Sequence, residues 1–407
     1  MALSVKIIRD YLTITSGVMG RLLISVVYFL IVANILSLGE FGVFASASSV
    51  GLVLSRLLAF GFISPVYRVA TVKPLLLGVY VAGLLVLTLL SLPLVFGAAF
   101  LAHMLFFAGK IAVLPFLLII VAEILCWRVT EYVVILLNGL SRFGKAATLV
   151  ILGSAIRTVA AIAFFLLPWR GLDAWVYYYL TANILTLAIA VVFFAPGMRL
   201  RFAFRLYPRR MRDAVTAALS ELTFYVQSEL DKVLVLGLAG DRTAGLYAIA
   251  MRLIDLTAIP VRSFNQMLVQ HIMKEGAAMA SKRRRILVEG AIAVVSTAGL
   301  MAFIVLLWFY PAIMGDNVAR VAPYLILMLA IPALRNLIEY QAELLYAREH
   351  VVTRALLLAG LATIKLSLMA GLLSVFSTLD GWIVPLTGVF VVLYAVSAFV
   401  TYRQLSR

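Results

Sequence analysis

The 407-residue chain is poor in the residues that most catalytic and metal centres use. It contains one cysteine, Cys126, so an intrachain disulfide framework is excluded. Its three histidines, at positions 103, 271 and 350, are dispersed without metal-ligand spacing, and no Ser-His-Asp or Cys-His arrangement is recognisable. We therefore expect no catalytic residues, no metal site, no cofactor and no enzymatic activity.

Charge is also scarce, and long apolar runs are abundant. Charged residues make up 13% of the chain and hydrophobic residues 64%, and the mean hydropathy is +1.10. Soluble domains have about 25% charged and 45–50% apolar residues, so the composition predicts an all-α integral membrane protein. The N-terminus has no short apolar segment followed by a small-residue cleavage site, and we expect the first apolar run to be retained as a span.

Apolar runs long enough to cross a bilayer, about 20 residues each, recur along the whole chain. We predict 12 transmembrane helices, at residues 10–36, 41–67, 73–97, 111–138, 146–167, 174–197, 213–239, 243–273, 286–310, 321–347, 351–376 and 382–402. An even number of spans places both termini on the same side of the membrane.

The basic residues are distributed unevenly between the two sets of alternate loops. One set, with the termini, carries 21 lysines and arginines, and the other set carries 4. This bias predicts cytoplasmic termini in a multi-pass protein, and it accounts for most of the net charge of +16. The basic segment 198–212 reads as a cytoplasmic linker that also binds anionic membrane lipids. We expect no nucleic-acid partner.

The two halves of the chain share short sequence matches at a nearly constant separation. Glu131-Tyr132 matches Glu339-Tyr340 and Arg157 matches Lys365 at an offset of 208, and Leu172 to Trp175 matches Leu379 to Trp382 at 207. The turn beginning at Gly39 also resembles the turn beginning at Gly240. These matches predict a parallel pseudo-repeat of two six-helix bundles, 1–197 and 213–407, with substrate bound between the halves.

Ionisable residues inside the predicted spans are the candidates for function, because each costs roughly 2.5–3.5 kcal/mol on insertion scales unless it is paired or hydrated. Spacings of three or four residues predict pairs along one helix face, which either stabilise the fold or line a cavity. These pairs are Arg128 with Glu131, Arg252 with Asp255, and Arg335 with Glu339.

Five cations have no obvious partner on their own helix and are predicted to bind a phosphate-bearing substrate: Arg21, Arg56, Arg157, Arg262 and Lys365. Three acids, Glu229, Asp231 and Asp255, are candidates for binding a coupling ion. The alternative for these acids is a salt bridge to another helix.

The chain resembles the polysaccharide-biosynthesis exporters of the MOP superfamily, including the O-antigen-type flippases of lipid-linked oligosaccharides. The resemblance lies in Asp231-Lys232, in Gly240-Asp241 followed by Gly245-Leu246-Tyr247-Ala248 and Arg252-Leu253, and in the turn Leu38 to Phe44. It implies two bundles in a V shape around a central cavity. It also implies alternating-access transfer of an undecaprenyl-diphosphate-linked oligosaccharide, coupled to H⁺ or Na⁺, from the cytoplasmic to the periplasmic leaflet of the bacterial inner membrane.

Glycosyltransferases and a glycan polymerase are the further partners that this resemblance implies. Two other functions remain open from the sequence. One is a cation-coupled multidrug or small-molecule exporter of the same superfamily. The other, less favoured, is a membrane glycan polymerase or ligase, against which the short predicted outward loops argue, since the longest lies near 97–110.

Overall fold

A computed structural model describes residues 24–275, 282–348, 350–376 and 379–406. All regular secondary structure in these ranges is helical. The chain divides into two compact units, Met1–Leu222 and Thr223–Arg407. The division falls beyond the predicted linker 198–212. The linker and the residues after it up to Leu222 therefore belong to the first unit, and Tyr207 of the linker donates a hydrogen bond to the carbonyl of Val79 in the same unit.

The first unit is built from long apolar helices. Their bounds are α1 (Ile24–Ile35), α2 (Leu38–Ser55), α3 (Ile63–Val72), α4 (Leu77–Ala102), α5 (Val113–Val121), α6 (Arg128–Gly139), α7 (Phe143–Leu166), α8 (Leu172–Ile189) and the first part of α9 (Tyr207–Ala239). Short 3₁₀ turns lie at Leu58–Gly61 and Pro74–Leu76, and π-helical turns at His103–Phe107, Ala122–Trp127 and Ala190–Phe194.

One carboxylate fixes the starts of two helices in the first unit. Ser37 caps α2, and the carboxylate of Glu40 accepts the backbone N–H of Ser37, which completes a capping box. The second oxygen of Glu40 accepts the backbone N–H of Leu172, at the start of α8, over 3.0 Å. This contact satisfies one of the unpaired N–H groups at that helix terminus.

The predicted continuous span 41–67 is corrected by the structure, which breaks it between α2 and α3. Ala59 and Gly61 have positive φ values of 53° and 74°. Glycine fits here because a Cβ at Gly61 would lie 2.5 Å from the carbonyl oxygen of Ala214. The freed N–H of Ala59 donates to Ser91 Oγ over 2.9 Å, so the broken helix keeps its backbone satisfied away from water.

The second unit contains the rest of α9 and the helices that follow it. These are α10 (Asp241–Glu275), α11 (Lys282–Phe309), α12 (Asp316–Ala319), α13 (Ala322–Leu325), α14 (Ile331–Ala347), α15 (Val351–Val375) and α16 (Leu379–Leu405). Helix α14 packs against α10, α11, α15 and α16, so it lies at the centre of this unit.

The predicted span 321–347 is also interrupted. Helix α13 ends at Leu325 and α14 begins at Ile331, with turns between them. Pro332 in the first turn of α14 has no N–H to donate and restricts the residue before it. An apolar run therefore gave the approximate position of this span but not its continuity.

Within the described residues, eight helices are long and apolar enough to cross a membrane: those beginning at Leu38, Pro74, Val113, Phe143, Leu172, Arg285, Val352 and Gly381. The chain is thus a multi-pass membrane protein. The predicted first span, 10–36, is described only from Ile24 onward. The total of 12 spans stays a prediction, because α9, α10 and α14 are not among these eight helices.

Candidate functional site

The first unit holds a cluster of two buried arginines and two partly exposed glutamates. Arg56 Nη1 lies 3.0 Å from Glu131 and 3.6 Å from Glu221. Arg128 lies 2.7 Å from Glu131 and 2.9 Å from the same Glu221 oxygen. The predicted Arg128–Glu131 pair therefore forms. It belongs to a larger network that also contains Arg56, whose partners lie on other helices.

The members of this arginine–glutamate cluster differ in how much of each side chain is exposed. The side chains of Arg56 and Arg128 are 3% and 1% exposed, whereas that of Glu221 is 43% exposed. The Nε atom of Arg128 is buried and has no acceptor among the described residues. The two guanidinium groups are thus held in place and share one carboxylate that solvent, or a ligand, can reach.

The break between α2 and α3 positions the cluster. Arg56 is the C-cap residue of α2, directly before the 3₁₀ turn. The hydroxyl of Tyr132 donates to the carbonyl of Leu58 in that turn over 3.1 Å, and the guanidinium of Arg128 lies over the Tyr132 ring. A helix that unwinds beside buried charges is how transport proteins often build sites in the membrane.

Arg157, on α7, is held by aromatic rings. Its guanidinium carbon is 4.2 Å from the ring centre of Trp127 and 6.0 Å from that of Tyr28. In the described part of the chain it makes no ion pair with an acid. Its predicted contact with substrate phosphate remains a prediction, and Arg21, the remaining predicted cation of this half, lies outside the described residues.

Glu123 is a buried acid to which the sequence analysis gave no role. It is 3% exposed and accepts hydrogen bonds of 2.5 Å from Ser48 and from Tyr179. It lies in the π-helical turn Ala122–Trp127, and such turns are frequent at functional sites. The only sequence signal was an acid within an apolar run, and its donors come from α2 and α8.

In the second unit Lys365 is paired with Asp231. The Nζ atom of Lys365 lies 2.6 Å from Asp231 Oδ2, and the two side chains are 3% and 1% exposed. Lys365 also donates to the carbonyl of Gln227, and Tyr247 donates to Asp231 over 2.8 Å. A residue expected to bind substrate and a residue expected to bind an ion therefore neutralise each other.

The other ionic contacts of this unit correct one predicted pairing. Arg335 contacts Asp255 at 2.9 Å, and Arg262 contacts Glu339 at 3.0 Å, rather than Arg335 contacting Glu339. The spacing of four residues on α14 allows the predicted pair, but residues on α10 engage both members instead: Asp255 accepts from Arg335, and Arg262 donates to Glu339. Glu229, the third ion-binding candidate, pairs with Lys232 at 2.5 Å along α9.

Several of these residues surround a small polar cavity in the second unit. The cavity has a volume of about 50 Å³ and is lined by residues that include Asp255, Arg262, Arg335, Glu339 and Lys365. This is room for a few water molecules or an ion, and not for a sugar chain. No group of three or more metal-ligating side chains occurs within the described residues.

The two units repeat some of these contacts at positions that the sequence matches relate. Glu131 accepts a hydrogen bond from Arg56, and its matched residue Glu339 accepts one from Arg262. The buried Trp175 packs edge-on against Phe44 at 5.8 Å, and Trp382 packs against Tyr247 at 5.7 Å. The repeated helices therefore bring equivalent side chains together within each unit.

The sequence profile of the family described as polysaccharide biosynthesis protein matches residues 7–266 of the chain, which is more than half of its length. The chain belongs to the polysaccharide biosynthesis protein family. The match contains Arg56, Arg128, Glu131 and Glu221 of the first unit's cluster, and it ends before Arg335, Glu339 and Lys365. No curated protein sequence matches this family member significantly.

Solved structures show which fold this family member has. A MOP superfamily transporter from Pyrococcus furiosus, described as having a binding pocket of reverse polarity, matches with a TM-score of 0.54, 13% identity and coverage of 98% of this chain and 95% of that chain. A multidrug resistance MATE family transporter of the same superfamily, in an outward-facing conformation, matches with a TM-score of 0.50, 14% identity and coverage of 98% and 95%. The polysaccharide biosynthesis family member thus has the fold of MOP superfamily transporters.

Proposed function

We propose that the protein is a flippase that moves a lipid-linked oligosaccharide, carried on undecaprenyl diphosphate, across the bacterial inner membrane. The proposed direction is from the cytoplasmic to the periplasmic leaflet by alternating access, with both termini in the cytoplasm. The family described as polysaccharide biosynthesis protein supports this substrate class. The observation that carries the proposal is the pair of buried guanidinium groups, Arg56 and Arg128, that share the half-open carboxylate of Glu221.

The chemistry of this cluster suits a diphosphate. Planar guanidinium groups bind phosphate oxygens through two parallel hydrogen bonds, and such contacts are strong where water is excluded. Glu221 is the most exposed member of the cluster, so an incoming phosphate can take its place without unburying either arginine. Glu131 stays with both arginines and keeps them oriented when Glu221 leaves.

In the second unit we assign Arg262 to the substrate, and the ion pairs of Glu229, Asp231 and Asp255 to coupling. Arg262 is 44% exposed, and it contacts Glu339. Lys365 is bound to Asp231 within the protein interior, so a substrate contact from Lys365 requires that pair to open. A proton on Asp231 would weaken the pair by removing the charge that holds the ammonium group.

The same reasoning favours H⁺ over Na⁺ as the coupling ion. Each of the three candidate acids, Glu229, Asp231 and Asp255, already contacts a cation at 2.5–2.9 Å. Sodium would have to displace a lysine or arginine, whereas a proton needs no additional ligand. Transport by proteoliposomes under an imposed pH gradient, with and without a Na⁺ gradient, distinguishes the two ions. Transport driven by Na⁺ alone refutes this assignment.

Depletion of the protein in its host tests the proposed substrate. We expect the undecaprenyl-linked glycan to accumulate on the cytoplasmic side of the membrane while the surface polysaccharide falls. Complementation with Arg56→Gln should fail, and complementation with Arg142→Gln, which alters an exposed arginine elsewhere in the same unit, should succeed. Intact surface polysaccharide in the depleted strain contradicts the proposal. Membrane levels of both variants must match the wild type.

A cation-coupled exporter of small molecules is the second candidate function. The multidrug resistance transporter with the same fold and the acids Glu229, Asp231 and Asp255 of the second unit favour it. Drug-susceptibility profiling of the depleted strain separates the two functions. Loss of drug resistance with unchanged surface glycan supports the exporter, and loss of glycan with unchanged resistance supports the flippase. If the protein is the flippase, its expected partners are the glycosyltransferases that supply the glycan and the polymerase that consumes it.

A further inference from the structure

A pocket with basic side chains lies in the first unit, and none of the residues of the arginine–glutamate cluster lines it. Its volume is about 330 Å³, and it lies between α3 and the beginning of α9. Arg68, Lys73 and Arg210 supply its cations, and Val69, Val72 and Leu76 supply apolar walls. The pocket therefore combines positive charge with hydrophobic surface.

The basic side chains of this pocket make few ion pairs or hydrogen bonds with the described residues. Arg68 and Lys73 make no side-chain hydrogen bond or ion pair with the described residues. Arg210 is 4.0 Å from Asp213, and both side chains are about half exposed or more. Exposed pairs of this kind contribute little, about 0–1 kcal/mol, so an anionic group can compete for Arg210. Three cations thus face a single acid.

The segment 199–206 beside the pocket has the pattern of a membrane-interface anchor. Arg199, Arg201 and Arg205 alternate with the exposed apolar side chains of Leu200, Phe202 and Phe204. The rings of Phe202 and Phe204 stack with their centres 6.0 Å apart. Exposed aromatic residues next to cations are typical of the zone where headgroups meet acyl chains.

This segment is held in place by the helices that form the pocket. Gly78 contacts its backbone so closely that a Cβ there would lie 2.1 Å from the carbonyl oxygen of Arg199. The hydroxyl of Tyr207 accepts the N–H of Ala203 over 3.0 Å and donates to the carbonyl of Val79. These contacts fix the position of the Phe202–Phe204 pair relative to the basic pocket.

We propose that this pocket binds the phosphate group of an anionic membrane lipid, with Arg68, Lys73 and Arg210 as its ligands. A lipid explains both parts of the surface. The phosphate meets the cations, while the glycerol and first acyl carbons lie along Val72 and Leu76 beside the inserted rings of Phe202 and Phe204. A free phosphate ion would leave these apolar groups without a partner. The site is separate from the proposed substrate cluster and does not depend on it.

Native mass spectrometry of the full-length protein tests the site, with phosphatidylglycerol and phosphatidylcholine as probes. We expect phosphatidylglycerol to bind the wild type in preference to phosphatidylcholine. The double variant Arg68→Gln/Lys73→Gln should bind phosphatidylglycerol roughly thirtyfold more weakly, since each cation near an anionic lipid contributes about 1 kcal/mol. The matched control is Arg142→Gln/Lys145→Gln, which removes two exposed cations from another turn of the same unit.

Each outcome of the experiment bears on the proposal. Weaker binding by the pocket variant, with wild-type binding by the matched control, supports it. Equal losses in both variants mean that total charge governs lipid binding, and they overturn the proposal. Displacement of phosphatidylglycerol by equimolar inorganic phosphate overturns the lipid as the ligand. Unchanged binding by a correctly folded pocket variant, judged by its thermal unfolding, overturns the site itself.

Discussion

Removing the ammonium group of Lys365 should strongly destabilise the second unit. Lys365 and Asp231 are almost completely buried and lie 2.6 Å apart. Replacing Lys365 by Met keeps much of the volume but leaves the carboxylate buried without its cation. Breaking a buried ion pair in this way typically costs about 3–5 kcal/mol. We therefore expect Lys365→Met to lower the free energy of unfolding by about this amount.

The double variant Lys365→Met/Asp231→Asn should recover most of that loss. It removes both charges, and the hydroxyl of Tyr247, which donates to Asp231, can still donate to the new amide oxygen. We expect the double variant to lie within about 1–2 kcal/mol of the wild type, because replacing both members of a buried pair is often nearly neutral. Together with the two single variants, this forms a double-mutant cycle, which measures the interaction energy between Lys365 and Asp231.

Arg157→Met is the matched control for this cycle, because Arg157 occupies the equivalent position in the first half. It contacts the rings of Trp127 and Tyr28 rather than an acid. Its loss should cost only about 1–2 kcal/mol, the range of a partly desolvated cation–π contact.

Reversible unfolding in mixed micelles with increasing dodecyl sulfate, followed by tryptophan fluorescence, gives the free energies of the wild type, Lys365→Met, Asp231→Asn, the double variant and Arg157→Met. If the losses of Lys365→Met and Asp231→Asn simply add in the double variant, the two residues are not coupled and the reasoning is refuted.

Three further predictions concern the first unit. Gly61→Ala should destabilise it by more than about 1 kcal/mol, since its φ of +74° and its contact with Ala214 leave no room for a methyl group. Thermal unfolding measures this loss, and Gly290→Ala, in open space on α11, should not reproduce it. Glu40→Ala should cost about 1–2 kcal/mol in the same assay, since it removes the capping box and the acceptor for Leu172; an unchanged melting temperature would contradict this. Glu221→Gln should bind inorganic pyrophosphate more tightly than the wild type, seen as a larger ligand-induced rise in melting temperature, and weaker binding would show that Glu221 does not compete with phosphate.

The sequence alone determined the class of the protein. Twenty-residue apolar runs must become helices in a bilayer, because hydrocarbon offers no partner for free backbone groups. The same runs located most helices well: the predicted span 111–138 corresponds to a helical stretch from Val113 to Gly139. The repeated matches also predicted which side chains are equivalent, and Trp175 and Trp382 are both fully buried. These features depend on the order of residues along short segments, which can be read from a single sequence.

The tertiary structure decided where the helices break and which charges meet. Hydropathy along 41–67 does not reveal that Ala214 approaches Gly61 and that Ser91 accepts the N–H of Ala59. Spacing along one helix predicted Arg128 with Glu131, which forms, and Arg335 with Glu339, which does not, because residues on α10 engage both of them. The partners of Arg56, Arg335 and Lys365 come from other helices, and only packing brings residues so far apart in sequence within reach.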